Sequence, residues 1–208
     1  MTPLAKPPRP HAAADLPRDP APLLRQVLAE WGGRGDLWIF GYASLIWRPE
    51  FNPAEERVAS VQGWHRALRM RSRVNRGTPE VPGLVYALLP GGACRGVVFR
   101  IAQAQVRDEL ARLWEREMPN GVYDPRLVTA RTAQGPVSAL AFTLSRRSPA
   151  CLPRMDDETM LGVLRHARGR YGTTLDYLLE TARALEARGM LDRETARLWR
   201  LAQRHGLG

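Results

Sequence analysis

The chain has 208 residues and a mass of 23.3 kDa, with 44% hydrophobic, 25% charged and 7% aromatic residues, a balance that excludes a disordered chain and predicts one globular domain. Two cysteines, Cys94 and Cys151, exclude a disulfide scaffold, and no His/Cys cluster stands at ligand spacing, so no metal is expected. The formal charge of +10 invites a nucleic-acid reading, but 30 of the 31 basic residues are Arg and Lys6 is the one Lys. Such a ratio, beside abundant Ala, Gly and Pro, points to a coding bias toward Arg, and no nucleic-acid partner is expected.

No stretch approaches the roughly 20 apolar residues of a membrane span, and the opening MTPLAKPPRPHAAADLP lacks the apolar run of a signal peptide. A cytoplasmic location away from membranes is the expectation. The first 22 residues hold seven of the 17 prolines and no apolar periodicity, so residues 1–18 read as a tail and 19–208 as a single domain. Asp19 and Pro20 start a helix whose face is Leu23, Leu24, Val27, Leu28 and Trp31, and Gly32-Gly33 stops it. Residues 37–42 and 57–73 follow as strands. The runs 84–89 and 95–101, separated by Pro90-Gly91-Gly92, predict a hairpin, and 126–144 predict a second one folded at residues 133–136.

Between them, residues 103–118 carry Val106, Leu110, Leu113 and Trp114 at helical spacing, closed by Pro119-Asn120-Gly121. After Pro149 and Pro153 the pattern turns wholly helical, with a last helix capped near Asp192. Strands first and helices last predict an α+β fold, a small mixed β-barrel with flanking and C-terminal helices.

Chemistry concentrates at the end of the middle helix. Stepping its apolar stripe onward reaches Glu117, while Glu109, Arg112, Glu115 and Arg116 fall on the opposite, solvated phase. Burial and the negative end of the helix dipole both raise the pKa of such a carboxyl, which suits proton transfer near neutral pH. The competing reading is a frayed last turn with Glu117 in solvent. Tyr42, Ala43, Ser44 and Leu45 form a loop of small residues after a strand, fit for close approach to a ligand. Ser44 lacks the G-x-S-x-G elbow of a nucleophile. A Cys-His pair from Cys94 or Cys151 with His65 or His166 is a further option, against the commoner role of a lone Cys as a small hydrophobe. His65 is open as a general base or as a structural hydrogen-bonding residue.

Six ordered blocks resemble one known family: residues 40–47 (FGYASLIW), 63–66 (GWHR), 76–83 (RGTPEVPG), 91–96 (GGACRG), 114–123 (WEREMPNGVY) and 171–178 (YGTTLDYL). Together they cover roughly residues 36 to 190 and are similar to the ChaC-like glutathione-specific γ-glutamylcyclotransferases. The resemblance implies a cytoplasmic enzyme on a small barrel with flanking helices. It would cleave glutathione to 5-oxoproline and cysteinylglycine without metal or organic cofactor. Glu117, in the Arg116-Glu117 pair, is then the essential acid, and Tyr42, Ala43, Ser44 and Leu45 contact the γ-glutamyl group. Ala43 stands where the family usually has Gly. Tyr123 is a further substrate-binding candidate, and Arg76 is the candidate cation for the carboxylates of glutathione.

Overall fold

Five strands, β1 (Leu37–Gly41), β2 (Glu55–Ser72), β3 (Gly83–Ile101), β4 (Asp124–Thr132) and β5 (Gly135–Thr143), close into a barrel in the order β1-β3-β2-β4-β5. The computed structural model describes residues 18–207. The expected tail lies outside the described residues apart from Arg18, which the boundary at 18 assigned to it. Arg18 is bonded to the body: its N–H donates to the Asn120 carbonyl (3.1 Å), its Nε to the Gly121 carbonyl (2.9 Å), and its Nη1 pairs with Asp124 (3.0 Å).

The expected hairpin over 84–101 is one continuous strand. β3 runs antiparallel to β2 from the pair Ser72–Gly83 to the pair Glu55–Arg100. Pro90-Gly91-Gly92 bends the strand without ending it. The register slips between Gln62 and Trp64, where Gly63 has φ 80° opposite Gly91 (φ 99°) and Gly92 (φ 75°), so both strands turn a corner together as a bulge. His65 serves this corner: its Nδ1 lies 2.8 Å from the Gly91 carbonyl oxygen, the structural role among its two readings. β4 and β5 form the second hairpin as expected, and β1 closes the barrel with two parallel pairs to β5, Trp38–Ala139 and Ile39–Leu140.

Helix α1 (Ala21–Trp31) ends at Gly32 in the left-handed region (φ 68°), as the glycine pair predicts. A four-residue helix α2 (Ser44–Trp47) follows β1, and α3 (Val106–Glu117) packs between β3 and β4 in sequence. The C-terminal part is helical in α4 (Asp157–His166), α5 (Thr174–Glu186) and α6 (Arg193–Arg204), with Asp156, Thr173 and Asp192 as side-chain N-caps. It is not wholly helical. A two-stranded hairpin, β6 (Arg168–Gly169) with β7 (Gly172–Thr173), interrupts it, and the N–H groups of Arg170 and Tyr171 at its tip donate to the carbonyls of Val74 and Asn75 (2.8 and 2.9 Å). Docking onto a distant loop leaves no mark in helical periodicity.

Strand alternation divides the core in two. Ile39, Val97, Phe99, Ile101 and Leu140 pack with Val27 of α1 and Leu110, Leu113 and Trp114 of α3. Phe40, Val98, Ala139 and Ala141 face the other way and pack with Leu161, Leu178 and Leu198 of α4, α5 and α6. None of the described helices is long and apolar enough to cross a membrane.

Candidate active site

Glu117 is the last residue of α3, one step beyond the stripe Val106, Leu110, Leu113 and Trp114, all of which are buried. Its side chain is 15% exposed, so the inward reading holds over the frayed one. Burial pushes its carboxyl above the ordinary 4.5, Arg116 pulls it back down through a 3.0 Å contact from Nε to Oε1, and the charge of Glu50 adds a further push upward. The carboxyl is thus desolvated and still steered by one cation.

Arg116 is not on a solvated face. It reaches across to the segment after α2, donating to the Arg48 carbonyl, pairing with Glu50 (3.1 Å) and donating from Nη2 to Ser44 Oγ (3.3 Å). Glu50 also pairs with Arg48 (2.5 Å) and sits at φ 59°, left-handed backbone that costs a non-glycine residue on the order of 1–2 kcal/mol. The pairing aims the Glu50 carboxylate at both arginines. Glu109, also expected on the solvated phase, is buried, with one oxygen 3.3 Å from Arg112 and the other without a hydrogen-bond partner. A single charge near the edge of an apolar stripe does not change the helical period, so periodicity alone misplaces it.

Three phenols face the same carboxyl. Tyr42 is buried; its hydroxyl donates to the Phe142 carbonyl (3.0 Å) and stands in hydrogen-bonding contact with Tyr123. Tyr123 is buried beside it, and burial first, then the charge of Glu117, holds its ionisation far above the usual phenol range. Tyr177 of α5, buried and in contact with the Ser44 hydroxyl, is pushed up to about 12 by burial and then by Glu117. All three therefore stay protonated donors beside Glu117.

The loop after β1 is built by close approach. A Cβ at Gly41 would stand 2.8 Å from the Phe99 ring, and one at Gly96 would stand 2.4 Å from the Gly41 carbonyl oxygen. Ala43 then turns the chain at φ −145°, ψ −115° into α2. Ser44 Oγ lies between Arg116 and Tyr177, and the Ile46 N–H already bonds to the Ala43 carbonyl (2.9 Å) at the start of α2. The Leu45 side chain goes to the apolar core with Ile46 and Phe51, so its main chain is the part left for the ligand contact expected of this loop. Arg76 lies in the β2–β3 connection, over the Tyr177 ring at 5.1 Å, with Nη1 3.4 Å from the Thr173 carbonyl. A Cβ on Gly77 or Gly83 would fall within about 2 Å of facing backbone, so the loop is pinched behind Arg76 and fixes it. Burial lowers the Arg76 pKa, and a guanidinium so placed is a poorly hydrated cation.

The structure thus brings Glu117, Tyr42, Ser44, Tyr123 and Arg76 into one neighbourhood. Sequence reasoning missed Arg116, Glu50 and Tyr177. Tyr177 falls in the last of the six blocks, the one available signal, but among Leu175, Leu178 and Leu179 it reads as core. Cys94 is buried with its thiol pushed up, the wrong direction for a nucleophile. A separate groove of about 660 Å³, lined by Gln62, Trp64, Arg126, Leu127 and Arg131 among others, gathers no such set of groups.

A small barrel carrying a desolvated carboxyl among protonated phenols and arginines is the arrangement that acid–base chemistry at a bound substrate requires. The chain belongs to the ChaC-like protein family, whose model matches residues 37–204. It is 34% identical over 170 residues to the glutathione-specific γ-glutamylcyclotransferase of Escherichia coli K12, covering 81% of this chain and 74% of that one. The mouse glutathione-specific γ-glutamylcyclotransferase 1 is 36% identical over 171 residues, 78% of this chain and 75% of the relative. The crystal structure of a γ-glutamyl cyclotransferase specific to glutathione from yeast superposes with a TM-score of 0.74 at 20% identity, over 82% of this chain and 97% of that one, and establishes the shared fold.

Proposed function

We propose that the chain cleaves glutathione to 5-oxoproline and cysteinylglycine, with Glu117 as the proton-transfer group. The α-amine and the γ-amide carbonyl belong to the same γ-glutamyl group, so attack closes a five-membered ring and the substrate supplies its own nucleophile. Such tethering is worth roughly 7–11 kcal/mol in the best oriented cases, which removes the need for a nucleophilic Ser or Cys. The neutral amine attacks the γ-carbonyl carbon; the Glu117 carboxylate takes the proton that the new C–N bond expels. Glu117 then returns that proton to the amide nitrogen as its bond to the carbonyl carbon breaks. No proton is gained or lost over the cycle.

A carboxyl that both accepts and returns a proton works best with a pKa lifted toward neutrality, and the desolvation of Glu117 is the observation that carries this reading. Main-chain N–H groups of residues 42–45 supply donors for the γ-glutamyl group, the phenols of Tyr123 and Tyr177 supply donors for the developing oxyanion, and Tyr42, whose proton goes to the Phe142 carbonyl, offers the substrate an acceptor. Donors of this kind are typically worth about 3–4 kcal/mol each in the transition state. Arg76 is the cation for a substrate carboxylate. The test is incubation of the purified protein with glutathione and detection of equal amounts of 5-oxoproline and cysteinylglycine, with γ-glutamyl-alanine in parallel. Equal or faster turnover of γ-glutamyl-alanine would reassign the substrate while leaving the chemistry in place.

A further inference from the structure

Arg66, in the middle of β2, has a guanidinium only 2% exposed and takes no part in the proton transfer. Its Nε and Nη2 both donate to Asp192 Oδ2 (2.9 and 2.7 Å), and its Nη1 donates to two main-chain carbonyls, Tyr42 (2.5 Å) and Arg95 (3.1 Å). The site of these two carbonyls matters. The β1–β3 ladder ends at the pair Gly41–Val97, so Tyr42 and the chain around Arg95 are where the pairing would have continued. There the guanidinium replaces the missing ladder bond and fixes the direction in which the chain leaves β1.

Asp192 works at two places at once. Its Oδ1 accepts from the Thr195 N–H as the N-cap of α6, and its Oδ2 accepts from Arg66 and from the Thr195 hydroxyl (2.9 Å). The Thr195 hydroxyl in turn accepts from the Tyr86 hydroxyl (3.1 Å), and the Tyr86 ring lies 5.9 Å from that of Tyr177. A buried ion pair is weak support for stability, because desolvation offsets most of the attraction. A lysine could not make four bonds in a fixed fork, so the arginine is suited to geometry rather than to charge alone.

We propose that Arg66 and Asp192 are positioning residues, an internal strut that holds the Tyr42 carbonyl, sets the path of residues 42–45 and couples that path to the first turn of α6. The inference rests on the reading that this loop binds the γ-glutamyl group. The strut makes no bond to Glu117, Arg116 or Glu50, and reaches them only through the loop by the Arg116 contact to Ser44. Its loss therefore weakens substrate binding more than proton transfer.

Asp192→Asn retains a good helix cap while removing the charge that orients Arg66, and Arg66→Lys retains the charge without the fork. Both variants are expected to raise KM for glutathione about tenfold with kcat within about threefold and an unchanged midpoint of the pH–rate profile, a pattern that a smaller folded fraction does not produce. Hydrogen exchange without substrate reads the strut directly. The Ile46 and Arg48 N–H groups, bonded to the Ala43 and Ser44 carbonyls, are expected to exchange about tenfold faster in Asp192→Asn, with central β3 amides unchanged. Wild-type exchange at these two amides, or an unchanged KM in both variants, overturns the proposal. A wild-type protein inert toward glutathione defeats the functional reading alone, since the exchange result stands by itself.

Discussion

Helix α3 carries two buried glutamates eight residues apart, and they differ in what surrounds them. Glu109 is the more buried, with its side chain 6% exposed, yet its partner Arg112 is 65% exposed and its second oxygen meets no donor. Glu117 is less buried but stands among three protonated phenols and an arginine whose other bonds reach the loop after β1. Burial alone makes an unsatisfied acid; burial with protonated groups and a cation gathered around the carboxyl makes a candidate site.

Glu117→Gln breaks the comparison most sharply. It retains size and hydrogen bonding but cannot carry a proton, so turnover of glutathione is expected to fall by a factor on the order of 10²–10⁴ with folding intact, while the exposed Glu115→Gln stays within a few fold. Arg116→Met comes next. Arg116 lowers the Glu117 pKa, so its removal leaves less carboxylate at a given pH, and the acid limb of the pH–rate profile is expected to move to higher pH. Equal profiles for variant and wild type would detach Arg116 from the acid.

Stability gives a subtler contrast. Glu117 in the unfolded chain ionises near 4.5 and in the folded chain at higher pH, so between those values the native state holds the extra proton. Stability therefore falls as pH rises above about 4.5, and the fall is absent from Glu117→Gln. The Tm of Glu117→Gln minus that of wild type is expected to grow more positive between pH 4 and pH 7. Glu109→Met has the smallest effect on activity: turnover unchanged and stability higher by about 1 kcal/mol, because an apolar side chain replaces a buried polar one with an unmet oxygen.

The helices α1 and α3, the strands β1, β2, β4 and β5, and the inward turn of Glu117 were legible because each follows from local periodicity and stop signals. The continuity of β3 was not. Pro90-Gly91-Gly92 is equally good chemistry for a turn and for a bulge, and only the matching Gly63 on the neighbouring strand decides between them. Tyr42, Ser44, Tyr123 and Arg76 could be named from the blocks that carry them, but the chain order holds no trace of Tyr177 stacking under Arg76 or of Arg116 turning back to α2. Those contacts join segments tens of residues apart, so they exist only once the barrel has closed.

That closure happens along a thin seam. β2 and β3 are joined by a short loop and pair with each other along their length, whereas β1 meets β5 in two residue pairs roughly a hundred residues apart in sequence. Local pairings form early and distant ones late, so the ribbon of β2 and β3 is the natural starting structure and the β1–β5 junction the last to assemble. The Tyr42 hydroxyl bond to Phe142 lies beside that junction, which places the proposed site at the end of the folding order and at the beginning of unfolding. In a urea titration, activity is expected to disappear before far-ultraviolet circular dichroism changes, the seam parting while the long ribbon still holds.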